Sequence, residues 1–333
     1  MSSEKWSSAR ILRMSGNYWA TCVLHTAVEL DLFTRIGQGR VDGPALARQI
    51  NAPEDGMIRL LDAVVAMGLL NKDRYGYTNT EAASTWLDAR SPHYLGFIIQ
   101  HHHHLMPLWA RLPDTLRSGK PGADPDRKRG PKERQAFLMG MFNLAMELAP
   151  AIVPAVDLSA CKTLLDLGGG PGTYAIEFCR HYPNLTATVM DLSTTRLFAE
   201  ETIRRMGMAD RITFVDGNFL TEEIPGKFDA VWMSHILHGD SPEDCHKIVK
   251  KAAGCLNPGG MAVIHEFVLA DTLDRPLFPA LFSLNMLLMT QGGRSYSESQ
   301  LAAMLTDAGL YDVGRIPCPE SENTGLVKGV KPA

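Results

Sequence analysis

From Lys162 onward the chain repeats one pattern: a short apolar run, a stretch long enough for a helix, then another run. Five runs stand out: TLLDLGGG, ATVMDLS, ITFVDGN, FDAVWMSHIL and MAVIHEFVL. Strands that alternate with helices predict a mainly parallel sheet with helices on both faces, because parallel neighbours need a crossover connection. In such sheets ligands bind outside the carboxyl ends of the strands. The residues that close the runs are therefore the ones to read for chemistry.

The first run closes on Asp166-Leu167-Gly168-Gly169-Gly170-Pro171-Gly172-Thr173. Gly168, Gly170 and Gly172 lack a Cβ, so the backbone turns sharply and a ligand approaches closely. A dinucleotide site wants GxGxxG and a helix N-terminus facing a pyrophosphate. Here Thr173 holds the place of the third glycine, and Asp166 sits where it would repel a phosphate. The acid suits a cationic ligand, such as the amino group of methionine; a plain strand-to-helix turn is the alternative. The second run closes on Asp191 and Leu192. A carboxylate there accepts hydrogen bonds from ribose hydroxyls, or caps a helix. The third closes on Asp216-Gly217-Asn218-Phe219. Asp216 or Asn218 suits an adenine amino group and Phe219 its ring; a bare turn is the alternative. Polar residues closing successive strands make the set point to a nucleoside.

The first 160 residues read differently. Residues 19–36 place Leu24, Val28, Leu32 and Ile36 at fourfold spacing, as an amphipathic helix requires. Residues 43–70 read as two helices about a turn at 52–56, and NKDRYGYTN as a small hairpin. Helices and a hairpin make a winged-helix arrangement. Residues 92–118 read as one long helix, 118–133 as a loop rich in Pro, Gly and charge, and 133–156 as a further helix. The expected divisions are a winged-helix domain over 1–118, a linker and connecting helix over 119–157, and a ligand-binding domain over 158–333.

Composition excludes some partners. Net charge is −4 and the pI about 6.3, which favours neither a nucleic acid nor an anionic membrane. No apolar run is expected to approach the ~20 residues of a membrane helix. The N-terminus lacks a signal core. The six cysteines form no CxxC pair and read as reduced thiols in a cytoplasmic protein. His101 to His104 cannot converge on one ion, because consecutive helical residues point about 100° apart, so no metal is expected.

Asp166 to Gly172, Asp191, the Asp216 to Phe219 segment, and Leu256-Asn-Pro-Gly-Gly260 before a final strand resemble the S-adenosylmethionine-dependent methyltransferase fold. With the N-terminal region, about residues 15 to 330 are similar to the caffeate, acetylserotonin and hydroxyneurosporene type of small-molecule O-methyltransferase. The resemblance implies an α/β, Rossmann-like fold with a mainly parallel seven-stranded sheet and an N-terminal all-helical winged-helix domain that forms a homodimer. It implies S-adenosylmethionine as cofactor, held at Asp166, Gly168, Gly170, Asp191, Leu192, Asp216, Gly217, Asn218, Phe219 and Ser234.

In this family the fourth strand is followed by a catalytic His, and His238 in Met233-Ser-His-Ile-Leu-His-Gly-Asp240 matches it. A hydroxyl must lose its proton to attack the sulfonium methyl, and neutral imidazole accepts protons well near pH 7. Glu266 matches a family glutamate that orients the His and stabilises the imidazolium. His235 is a rival base or a substrate residue. By resemblance, Phe142, Met146, Met286 and Thr290 also face the acceptor, with core packing as the alternative; Trp109 fits as a wall between domains, and Gln100, beside the histidine run, as a further acceptor residue. The chain departs from the family at Gly239, usually Asp, at Asn218, often an acid, and at Ser295, where a second glutamate is common. These changes leave S-, N- or C-methylation as alternatives to methylation of a hydroxyl on a small, aromatic or otherwise apolar acceptor. A ligand-responsive DNA-binding regulator is a further alternative, but its reading helix, residues 56–70, offers only Arg59 to bases and phosphates.

Overall fold

A computed structural model describes residues 5–123, 130–318 and 323–333. Part of the expected loop over 118–133 lies outside them. Two compact units emerge, one of Met1–Leu105 with Pro131–Asn143 and one of Met106–Gly130 with Leu144–Ala333.

The first unit holds helices α1 (Ser8–Gly16), α2 (Tyr18–Glu29), α3 (Leu32–Ile36), α4 (Gly43–Ile50) and α5 (Glu54–Ala66). Strands β1 (Leu70–Asp73) and β2 (Gly76–Asn79) follow as an antiparallel hairpin, then α6 (Glu81–Trp86) and most of α7 (Gly96–Trp109). The hairpin means the region is not all-helical. The apolar stripe over 19–36 is broken into α2 and α3 at Asp31, whose φ is 56°, yet Val28, Leu32 and Ile36 all reach the core. Met57, Leu61 and Val64 of α5 join them, and Arg59 pairs with Asp55 on the same helix. The single helix expected over 92–118 is two, α7 and α8 (Leu112–Ser118). The helices part at Ala110 and Arg111, and Pro113 sits in the first turn of α8, where its missing N–H has no helical partner to lose.

Helix α9 (Pro131–Ile152) ends in a 3₁₀ turn, Val153–Ala155. Contrary to the expectation from sequence, Pro131–Ala155 is long and apolar enough to cross a membrane by length and composition. Lys132, Glu133 and Arg134 at its start and Glu147 within it obscure the run. Ala149 and Ile152 are spent in the sheet core and Ala136 and Leu138 are buried.

The second unit alternates as expected: β3 (Thr163–Leu167), α10 (Thr173–His181), β4 (Thr186–Asp191), α11 (Arg196–Arg205), β5 (Ile212–Asp216), β6 (Phe228–Ser234), α12 (Pro242–Gly254) and β7 (Leu256–Leu269). Then come α13 (Leu277–Met289), β8 (Tyr296–Ser297), α14 (Glu298–Asp307), β9 (Tyr311–Ile316) and β10 (Thr324–Val330). Seven strands run in the order β5-β4-β3-β6-β7-β10-β9, and the two-residue β8 pairs with the end of β7. The first five are parallel; β10 is antiparallel to both its neighbours. Leu256 to Gly260 lies inside β7 rather than before it, and β7 is not the final strand.

Side chains alternate across the sheet with the strand period of two. Leu165, Leu167, Val231 and Met233 pack under α12 and α14. Leu164, Ala230 and Trp232 pack under α9, α10 and α11 on the other face. The crossovers run one way from β3 to β5 and then return to β6. That reversal opens a crevice at the carboxyl ends of β3 and β6, the place where such sheets hold ligands.

Candidate active site

The loop after β3 shapes one wall of that crevice. Gly168, Gly170 and Gly172 have φ of 68°, 54° and 81°, in the left-handed region that favours glycine. A Cβ on Gly168 would also meet Ile236 Cγ2 at 2.6 Å and the Phe219 ring at 3.3 Å. Asp166 sits fully buried beneath the loop. Its Oδ2 accepts a hydrogen bond from Ala175 N at 3.2 Å, and its Oδ1 has no partner. Burial pushes its carboxyl up to about 7, with the charge of Asp191 adding to the effect.

Asp191 closes β4. Its Oδ2 accepts from Gly170 N at 2.8 Å, and its Oδ1 from Leu192 N at 2.6 Å and Thr195 Oγ1 at 3.2 Å. Burial raises its carboxyl too, against those hydrogen bonds. Helix α11 starts later, with Thr195 in its N-cap position, so Asp191 is not its N-cap. Asp216 lies beside Asp191 in the β4–β5 register and is paired through both oxygens with Arg196 at 3.0 Å. After it, Asn218 Oδ1 accepts from Leu220 N at 3.0 Å, which makes a turn. A residue that sequence reasoning missed holds this turn: Lys251 Nζ on α12 donates to the carbonyls of Phe219, Leu220 and Glu222 at 3.1, 3.1 and 2.7 Å. Gly217 cannot take a Cβ without displacing Met190 Cε.

The opposite wall follows β6. Ser234 Oγ shares a hydrogen bond of 2.9 Å with Nδ1 of His265, which burial holds well below the ordinary imidazole range. His235 comes next with φ of 56°, and then a 3₁₀ turn, Leu237–Gly239, presents His238. His238 Nδ1 is 2.8 Å from Glu266 Oε2, and its backbone N donates to Oε1 at 3.1 Å. His235 Nδ1 stands 3.6 Å from the same Oε2. Burial alone would raise the Glu266 carboxyl, but the two histidines outweigh it and hold it below the usual carboxylate range. An ionised carboxylate only accepts hydrogen bonds. Nδ1 of His238 therefore carries a proton, and in the neutral imidazole Nε2 is the bare nitrogen.

The turn is anchored at both ends, by Cys245 on the helix that follows and by Tyr296 far away in sequence. Cys245 Sγ donates to Leu237 O at 3.0 Å and Tyr296 OH to Asp240 O at 2.9 Å. The loop after α13 presses on it as well: a Cβ on Gly293 would collide with His238 O. Thr290 Oγ1 accepts from Gly293 N at 2.9 Å, so this expected acceptor residue shapes that loop.

Around the histidines the walls are aromatic. Ring centroids lie 4.4 Å apart for His235 and Phe267, 4.8 Å for His238 and Phe282, and 4.6 Å for Phe267 and Phe282; Phe278 completes the group. Phe278 and Phe282 were not singled out from sequence. Their fourfold spacing with Met286, which is buried, was the available signal. Trp109 Nε1 donates to Asn285 Oδ1 of α13 at 3.0 Å. Met146 lies half-buried on α9 in this unit, whereas Gln100 and Phe142 belong to the other. His101 and His103 diverge, one ring meeting Phe137 and the other His25.

Two family models match the chain: an O-methyltransferase domain over residues 122–311 and an O-methyltransferase dimerisation domain over 12–89. The chain is 33% identical to a 3-hydroxy-5-methyl-1-naphthoate 3-O-methyltransferase of Streptomyces sahachiroi, over 94% of its length and 92% of the relative's. Among solved structures it is similar to an O-methyltransferase family protein from Burkholderia thailandensis, at a TM-score of 0.88, 29% identity and 99% of both chains. Human N-acetylserotonin methyltransferase in complex with S-adenosylmethionine matches at a TM-score of 0.88, 25% identity and 100% of both chains.

Proposed function

Since the chain belongs to the O-methyltransferase family and is an S-adenosylmethionine-dependent methyltransferase, we propose that it methylates a hydroxyl of a small aromatic acceptor with His238 as base. The observation that carries this reading is the His238–Glu266 pair, set at the carboxyl ends of β6 and β7. The residues present fit the cofactor. An unpartnered buried Asp166 oxygen suits an ammonium group, Asp191 suits the ribose, and glycines without Cβ leave the approach clear. When bound, S-adenosylmethionine supplies an electrophilic methyl group on a sulfonium.

The chain's own residues do the rest. Nε2 of His238 takes the hydroxyl proton as the oxygen attacks, and Glu266 steadies the imidazolium that forms. Phe267, Phe278 and Phe282 offer flat apolar faces to an aromatic ring and exclude water, which strengthens the charge interactions within. Fixing the oxygen in line with the methyl supplies much of the rate. The relative that acts on a hydroxynaphthoate supports an acceptor of this class. A homodimer belongs to the same reading: Ile11, Leu12 and Met14 of α1 and Trp19 of α2 stay exposed within or beside the dimerisation match.

The test is incubation of pure protein with methyl-labelled S-adenosylmethionine and a panel of hydroxynaphthoates and phenols. Label on an aryl oxygen is expected. Label on none of them, from protein that binds S-adenosylhomocysteine, would reject the acceptor class.

A further inference from the structure

We propose that His235, His238 and Glu266 form a binding site for a divalent transition-metal ion, zinc above all, and that the bound ion shuts off the base. The sequence raised metal binding only for His101 to His104. Among the described residues, the grouping of three or more His, Cys, Asp or Glu donors is instead this one, with its ligand atoms within 4.8 Å of one another.

The spacing of both imidazoles from Glu266 suits an ion. A tetrahedral zinc with bonds of about 2.0–2.1 Å keeps its ligand atoms roughly 3.3 Å apart. Nδ1 of His238 and of His235 stand 2.8 and 3.6 Å from Glu266 Oε2, which brackets that value. His235 Nδ1 is buried with no hydrogen bond within 3.5 Å, its nearest polar contact being the 3.6 Å approach to Glu266 Oε2, so it is under-satisfied as it stands. Its residue also keeps a left-handed backbone, a conformation that residues other than glycine adopt at a cost and that clusters at ligand clamps. Two imidazoles and one carboxylate suit zinc, cobalt or nickel, whereas magnesium and calcium prefer all-oxygen sets. Three protein ligands leave a fourth position open.

Shut-off follows from the tautomer. In the metal-free site the proton is on Nδ1 of His238 and Nε2 is bare. Coordination through Nδ1 moves that proton to Nε2, with no net gain or loss. Nε2 is the atom that must be bare to accept the hydroxyl proton, so the loaded site has no base. This half of the proposal rests on His238 being the base; the binding half does not.

The experiment titrates chelator-treated, full-length protein with Co²⁺ alone and follows its visible absorption, which reports coordination number. One equivalent bound at fewer than six ligands, displaced by Zn²⁺, is expected. His235→Asn removes the ligand but keeps a residue that tolerates the left-handed backbone. It should weaken cobalt binding about tenfold or more, while its S-adenosylhomocysteine affinity shows that it has folded. One equivalent of Zn²⁺ should stop methyl transfer by the unaltered protein, and chelator should restore it. No cobalt uptake, or uptake unchanged in His235→Asn, overturns the site. Binding without loss of turnover overturns the shut-off. If chelator-treated His238→Ala stays fully active, the base reading fails while the cobalt spectrum still judges the site.

Discussion

His238 and Glu266 are joined twice: the imidazole Nδ1 meets one carboxylate oxygen at 2.8 Å and the backbone N–H of the same residue meets the other at 3.1 Å. The double link fixes the ring's tautomer and the turn that carries it. Glu266→Gln keeps the shape and removes the charge. Its amide can donate to Nδ1, which moves the proton to Nε2, the wrong atom for a base. We expect kcat to fall by about 10²-fold or more, with cofactor affinity kept. Steady-state kinetics with calorimetry checks this.

Asp166 links cofactor binding to pH. Burial places its carboxyl at about 7, so it is partly protonated in the free protein at neutral pH. A cationic ligand needs the ionised form, and the proton must leave before it binds. Affinity for S-adenosylmethionine should therefore weaken as pH falls below about 7, by up to about tenfold per unit. Calorimetry from about pH 8 to about pH 6 should show it. An equal slope in Asp166→Asn would assign it to another group.

Gly293→Ala places a methyl group against His238 O, a backbone atom that moves only with its turn. A misplacement of about 1 Å at a reacting group costs on the order of 10²-fold in rate. Turnover should fall while S-adenosylhomocysteine affinity holds. Loss of both would mean general unfolding instead.

Lys251 ties three carbonyls of the segment that carries Asn218 and Phe219. Lys251→Met frees that segment at a distance from the base. KM for S-adenosylmethionine should rise by about tenfold, the equivalent of about 1.4 kcal/mol, with kcat little changed. A fall in kcat alone would contradict the assignment.

The strands and the residues that close them were legible because each run combines apolar β-formers with a polar or glycine stop, and the pleat alternates faces strictly. Asp166 and Asp191 come together for that reason, whereas His238 reaches Glu266, inside β7, from the 3₁₀ turn past β6. Helix breaks were less legible: at Asp31 the apolar stripe continues straight through a left-handed residue, so periodicity alone hides the corner. Helix α13 is apolar nearly all round, so the fourfold spacing of Phe278, Phe282 and Met286 is a weak sign that Phe282 meets His238 and Phe278 meets Phe267. Tyr296 and Gly293 support the His238 turn from positions distant in sequence, and only tertiary packing reveals them. Lys251 reads as one of several lysines on α12 until its three carbonyl partners are seen.

The most direct measurement is turnover of His238→Ala beside its affinity for S-adenosylhomocysteine. If Nε2 takes the hydroxyl proton, kcat falls by roughly 10² to 10⁴ while the affinity stays within about twofold of the unaltered protein. Turnover equal to that of the unaltered protein would contradict the account.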